Sequence, residues 1–192
     1  LGDVACFSFY PTKNMTTGEG GMIVTDRDDI AKKASQIINH GRSESYEHVI
    51  LGHNFRMTSI AAAIGRVQLD QLPDFVETRR TNADKLSRGL ADTHVVTPVE
   101  PDGTAHAYHQ YTIRIDNRSA LQDHLDRHDI GYGVYYPTCI HDQPSYDHIE
   151  ATAPVAETAA TEVLSLPVHP TVANDDIERI IEVIQEYDRD QY

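Results

Sequence analysis

Apolar positions cluster first in two short runs, Val4–Tyr10 (VACFSFY) and Gly21–Thr25 (GMIVT), each bounded by turn-forming residues. That pattern predicts two buried β-strands joined by a loop, Pro11–Gly20, rich in Thr and Gly. Ile30, Ala34, Ile37 and Ile38 then recur at helical spacing, which predicts a helix from about Asp28 to Asn39 with Gly41 just beyond its end. An irregular stretch, Arg42–Met57, follows. Thr58 stands as the cap of a helix over Ser59–Leu72 whose Ile60, Ala63, Ile64 and Val67 form a stripe, and Pro73 opens a second helix to about Leu90. These two helices are expected to bridge two structural units. Beyond His94–Thr97 the pattern predicts a strand at Tyr108–Asp116, a helix at Ser119–His128, a strand at Gly131–Tyr136 and a helix near Pro154–Leu164. The last helix, Asp175–Tyr187, is capped by Asn174 and turns Ile177, Ile180, Ile181 and Ile184 inward. The residues after about 91 thus form an α+β unit, and the chain carries no internal repeat.

At 192 residues the chain is long enough for a sizeable core. No apolar run approaches the roughly 18 residues of a membrane span, and the N-terminus lacks the basic segment of a secretory signal. The formal net charge is −14, which removes the electrostatic attraction to a phosphate backbone and argues against nucleic-acid partners. Asp outnumbers Glu by 19 to 11 and Arg outnumbers Lys by 12 to 4, with the acids spread along the chain. This balance points to the acidic surface of a salt-adapted (halophilic) protein, an ordinary acidic surface being the alternative. Cys6 and Cys139 are too few for a disulfide framework and are expected as buried small residues. Because Leu1 leads almost at once into a strand-like run that would make a poor edge, the chain is expected to begin within a larger protein.

Candidate chemistry concentrates in the loop. Lys13, held between two strands, reads either as a solvated loop lysine or as an amine made nucleophilic by desolvation. Lys32, Lys33 and Lys85 fall on amphipathic helices and read as solvated surface charges. The glycines follow Lys13 instead of preceding it, so the loop is not a phosphate-binding P-loop, and Gly18-Glu19-Gly20-Gly21 lacks the spacing of a dinucleotide fingerprint. His106/His109 and His124/His128 have no third ligand in any metal-site pattern, so no metal is assigned and these histidines read as solvated. Tyr108, Tyr111, Tyr132 and Tyr136 read as core or interface aromatics.

The run CFSFYPTKNMTTGEGGMIVT resembles the Schiff-base segment of the DegT/DnrJ/StrS family of sugar aminotransferases, fold-type-I enzymes dependent on pyridoxal 5'-phosphate. The similarity continues through Asn39-His40-Gly41-Arg42, Leu51-Gly52-His53-Asn54-Phe55-Arg56-Met57 and Ala61–Leu69. It resumes at His109-Gln110-Tyr111, at Gly131–Pro137 and at Leu164-Ser165-Leu166-Pro167. The resemblance implies an α/β fold: the end of a large mixed-sheet domain over residues 1–90, then a small C-terminal α+β domain over 91–192. It implies that Lys13 is the Schiff-base lysine and later the base that moves the substrate α-proton, and that Ser8 binds the cofactor phosphate. Taken without the resemblance, Ser8 is a buried strand serine, and Asn54 and Arg56 are ordinary loop residues. With it, Asn54 reaches the phosphate of the neighbouring subunit's cofactor, Arg56 lines the same entrance and Tyr135 replaces a histidine common at a substrate contact. Lys13 also sets the chain apart from a sister group of dehydratases that carries histidine there.

The implied protein is a cytoplasmic homodimer with shared active sites, moving an amino group from glutamate onto a nucleotide-linked keto-sugar. The family's aspartate partner of the cofactor ring is missing from these residues, so the 192-residue chain alone is expected not to transaminate. The alternative is a non-catalytic binding or regulatory protein that kept the scaffold. The acidic composition yields a prediction of its own: about 1 M salt contracts the Debye length to roughly 3 Å and relieves self-repulsion among 14 uncompensated charges. The melting temperature should therefore rise from low to molar KCl, and a flat or falling profile contradicts salt adaptation.

Overall fold

The computed structural model describes residues 2–191 and is mixed α/β. In chain order the elements are β1 (Ala5–Ser8), β2 (Gly21–Val24), α1 (Asp28–Ile38), α2 (Ser59–Gly89), β3 (Tyr111–Arg114), α3 (Arg118–Arg127), α4 (Pro154–Glu162), β4 (Val163–Leu166) and α5 (Asn174–Gln191). Two short 3-10 turns, Ile140–Asp142 and Pro144–Tyr146, precede α4. The chain divides into two compact units, one ending at Asp74 and one starting at Phe75. That division falls inside α2, one residue beyond Pro73. The expected break at this proline does not occur: Pro73 lies inside a single helix of 31 residues. Proline removes a single amide donor, and helical hydrogen bonding resumes on its far side. Thr58 does cap α2, accepting the Ala61 N–H at 3.1 Å.

In the first unit β1 and β2 pair antiparallel, with Ala5 opposite Val24 and Ser8 opposite Gly21. All eight residues are exposed, Cys6 among them, which overturns the expectation of buried strands and of a buried cysteine. The physical reason is the lack of a second layer within the unit. A shallow apolar groove runs along the hairpin, lined by Phe7, Met22, Val24, Ile38, Phe55 and Met57, and it stays open to solvent. The stripe on α2 is likewise uncovered at Ile60, Ile64 and Val67. Among the described residues of this unit, Phe9 is the one buried large hydrophobe.

The second unit holds the core. Here β3 pairs antiparallel with β4, and Tyr111↔Leu166 and Ile113↔Leu164 share one buried face. Bridges at Val96↔Arg114 and Gly133↔Ser165 extend this small sheet on both sides. Leu86 of α2, Leu121 and Leu125 of α3, and Ile177 and Ile184 of α5 belong to the same core and exclude water completely. The first two residues of β4 fall in the helix expected near Pro154–Leu164. The helix stops at Glu162 because Val163-Leu164-Ser165-Leu166 finds a ladder partner in β3, and a tertiary partner overrides local propensity. The expected strand at Tyr108–Asp116 shortens to Tyr111–Arg114, with Tyr108 in the left-handed region at φ 39°. Of the expected strand at Gly131–Tyr136, Gly133 alone makes a bridge.

Polar side chains in this unit are tied down. Arg79 is buried in α2 and donates from Nη1 to the carbonyls of Tyr108 and His109, and burial lowers its pKa. A bidentate pair from Arg80 holds the Glu100 carboxyl down to about 2. Asn174 does not cap α5. Its Oδ1 accepts from Lys85 Nζ at 2.6 Å, so Lys85 is not simply solvated, while Asp176 accepts the Ala173 N–H at 3.3 Å. His124 is not solvated either: it is buried, with Nε2 at 3.1 Å from the Val183 carbonyl.

Truncating the buried β4 residue in Leu164→Ala should lower the unfolding free energy by about 2–5 kcal/mol. The same deletion at exposed Ile60 should stay within about 0.5 kcal/mol. Urea unfolding of both variants checks this; equal losses contradict the assignment of the core.

Candidate active site

The lysine loop starts where the hairpin register ends. Beyond Ser8↔Gly21 the Phe9 N–H donates to the Gly20 carbonyl at 2.9 Å, and the Phe9 carbonyl accepts both Thr17 N–H at 3.1 Å and Thr16 Oγ1 at 2.8 Å. Phe9 and Thr17 are buried, so the neck of the loop is solid. Within it Lys13 N–H donates to the Tyr10 carbonyl at 2.9 Å, Thr17 Oγ1 donates to the Glu19 carbonyl, and Gly18 takes the left-handed φ of 82° that its turn requires. The loop is also docked on α2. Gln68 Oε1 accepts Thr16 N–H at 3.2 Å, and a Cβ placed on Gly65 would stand 2.9 Å from Thr17 Cγ2, so Gly65 permits the approach. Lys13 is half-buried on this framework. Ser8 is exposed at the strand end, not buried; its Oγ accepts the Tyr10 N–H at 3.4 Å, which leaves the hydroxyl proton to be donated elsewhere.

A second group of functional candidates is built by the turn after α1. His40 at φ 60° and Gly41 at φ 72° reverse the chain. A Cβ on Gly41 would fall 1.7 Å from the Ile50 carbonyl oxygen, and one on Gly52 would fall 2.0 Å from Gly41 N. The two backbones therefore touch, which glycine alone allows. This contact lines up residues 53–55 against the end of α1, with His40 N–H on the His53 carbonyl at 2.8 Å and Phe55 N–H on the Ile38 carbonyl at 2.9 Å. Asn39 and Asn54 then face each other as an antiparallel bridge. Arg56 spans them: Nη1 donates to Asn39 Oδ1 at 2.8 Å and Nη2 to Asn54 Oδ1 at 3.1 Å.

The structure thus brings Asn54 and Arg56 together and sets Ser8 and Lys13 on one hairpin. Tyr135 belongs to the second unit, where its exposed ring lies over Gly133; a Cβ there would meet that ring at 2.5–2.8 Å. Helix α5 does bring a third potential ligand, Glu186, to His124 and His128, which the sequence pattern did not anticipate. His124 is already engaged on both nitrogens, by the Val183 carbonyl and by Arg127 Nη2 at 3.4 Å from Nδ1. Sequence reasoning missed Gln68, Gly65 and the role of Asn39. For Asn39 a signal existed, because Gly41 and Gly52 flank a segment too irregular for either to serve in a helix.

A family model described as the DegT/DnrJ/EryC1/StrS aminotransferase family matches residues 1–185. The chain is 41% identical to a protein of Geobacillus stearothermophilus named pleiotropic regulatory protein, covering 98% of this chain and 53% of that one. It is 37% identical to the UDP-N-acetyl-3-dehydro-alpha-D-glucosamine 3-aminotransferase of Acidithiobacillus ferrooxidans, covering 96% and 51%. A solved DegT/DnrJ/EryC1/StrS aminotransferase from Brucella abortus matches with a TM-score of 0.93 at 33% identity, over 98% of this chain and 52% of that one. The chain spans about half the length of the curated relatives it matches.

The docking of the loop on α2 can be tested at Gly65. Gly65→Val inserts a branched side chain against Thr17, so amide hydrogen exchange at Thr16 and Thr17 should accelerate roughly tenfold or more, as expected when a local contact is lost. Unchanged exchange contradicts the contact.

Proposed function

The chain belongs to the DegT/DnrJ/EryC1/StrS aminotransferase family, and from that premise we propose that it serves pyridoxal-phosphate-dependent transfer of an amino group from glutamate to a nucleotide-linked keto-sugar. The observation that carries this reading is Lys13, a half-buried primary amine on a loop whose neck and flank are fixed by hydrogen bonds. The donor set fits the cofactor. An amine suits its aldehyde carbon, and the Ser8 hydroxyl and the Asn54 carboxamide suit its phosphate, which offers acceptors only. When bound, pyridoxal phosphate supplies the conjugated ring that withdraws electrons from the carbon losing its proton.

The residues of this chain do the rest. Lys13 would hold the cofactor through Nζ at its aldehyde carbon, and the same amine, once displaced there by the donor's amino group, would take and return the proton at the donor's α-carbon. The Ser8 O–H donates to the phosphate within the same subunit. Asn54 donates to the phosphate of the partner subunit's cofactor, with Arg56 beside it at the entrance, so the working form is a homodimer with shared sites. Tyr135 faces the sugar. Residues 1–90 complete the large cofactor domain, and 91–192 form the small domain. The uncovered apolar face of the hairpin and of α2 supports an assembly in which more polypeptide packs on the first unit. No described helix is long and apolar enough to cross a membrane, and we place the activity in the cytoplasm.

A second reading, a regulatory protein on the same scaffold, is favoured by the name of the Geobacillus relative. One experiment separates the two. Incubation with pyridoxal phosphate, borohydride reduction and peptide mapping should place the pyridoxyl group on Lys13. A label on Lys32, Lys33 or Lys85 overturns the site, and no specific label favours the regulatory reading.

A further inference from the structure

The fork of Arg56 decides which way two carboxamides point. A guanidinium carries donors only, so both groups it touches must turn oxygen toward it. Asn39 and Asn54 each do so, at 2.8 and 3.1 Å. Their NH2 groups therefore face away from Arg56. The alternative rotamer would set an NH2 against the guanidinium, donor against donor, which fixes the oxygen and nitrogen assignment by chemistry.

Backbone geometry makes this arrangement specific. Asn39 and Asn54 are opposite partners of an antiparallel bridge, so their side chains share a face, and Arg56, two residues past Asn54, returns to that face. The Gly41 and Gly52 backbones, in direct contact, hold the register. Asn39 itself is set by the end of α1, its N–H donating to the Gln36 carbonyl at 3.0 Å. Without the Asn39 oxygen, Nη1 loses its partner in the fork. The guanidinium of an exposed arginine in a chain of net charge −14 then has many carboxylates to turn to.

We infer that Asn39 is a positioning residue for phosphate recognition: through Arg56 it locks the Asn54 carboxamide with its donor face outward, toward an anion that can only accept. This rests on the reading of Asn54 as a phosphate ligand. Asn39 need not touch the phosphate. Its effect passes through Arg56, and it vanishes when Asn54 is gone.

The test is a titration of the protein with pyridoxal phosphate and, separately, with pyridoxal, which lacks the phosphate, followed by absorbance. Asn39→Ala should weaken pyridoxal phosphate binding about tenfold, the scale of one charge-assisted hydrogen bond, and leave pyridoxal binding unchanged. Asn54→Ala should do at least as much, and the double variant should be no weaker than Asn54→Ala alone. Should Asn39→Ala disturb the turn, Arg56→Leu breaks the same fork with Asn39 in place and should show the same phosphate-selective loss. Asn39→Ala at wild-type affinity while Asn54→Ala is weakened overturns the inference alone. Additive losses in the double variant, or equal losses for the two ligands, also overturn it. Asn54→Ala at wild-type affinity overturns the phosphate reading and the inference together.

Discussion

The pairing of β1 with β2, closed by Phe9 against Gly20 and Thr17, is the constraint on which the candidate site depends. A loop of this length in isolation samples many backbone states, and ordering each residue opposes folding by about 1–2 kcal/mol. Here the ladder fixes both ends, Thr16 and Thr17 fold the interior back on Phe9, and Gln68 ties the flank to a long helix. Lys13 inherits its place from those bonds. An amine that must first hold a carbonyl carbon and then reach a proton nearby needs that kind of support, because reactivity falls steeply when reacting atoms are misplaced by even 1 Å. The bonds that hold the loop around Lys13 come from its neighbours' backbone and from threonine hydroxyls.

Much of this was legible in the residues. Helices α1, α3 and α5 follow from apolar spacing, because an apolar face imposes the 3.6-residue period; that face is buried in α3 and α5, whereas no residue of α1 is fully buried. Lys13, Ser8, Asn54 and Arg56 were singled out as candidates by motifs, which register residue identity and order. Contacts across distance were not legible. Gln68 lies 52 residues from Thr16, and the oxygen it offers leaves no trace in local pattern. Strand β4 was hidden because Val163 and Leu164 continue the helical pattern that starts at Pro154, and its partner, β3, lies far back in the chain. The burial of β1 and β2 was misjudged for a different reason: apolar composition records which residues avoid water and is silent on what covers them.

The two units differ in how far they satisfy their own surfaces. In the second, Tyr111, Ile113, Leu164 and Leu166 meet three helices and no large side chain on that sheet face is wet. In the first, Phe7, Met22, Ile23 and Val24 stay exposed while Thr16 and Thr17 of the loop and the Asn39–Arg56–Asn54 fork are hydrogen bonded. Polar order thus exists without apolar closure, which fits a unit whose chemistry is prepared locally and whose hydrophobic face is finished by additional polypeptide. The proposed homodimer with shared sites would give this division a function, since one subunit's hairpin would then offer the amine and the other subunit's turn the amide donors.

The measurement closest to that central claim is a crystal structure of the protein bound to pyridoxal phosphate. The account predicts continuous density from Lys13 Nζ to the cofactor, with the phosphate within hydrogen-bond distance of Ser8 Oγ in one subunit and of the partner subunit's Asn54. Cofactor on another lysine, or a phosphate remote from both Ser8 and Asn54, contradicts it.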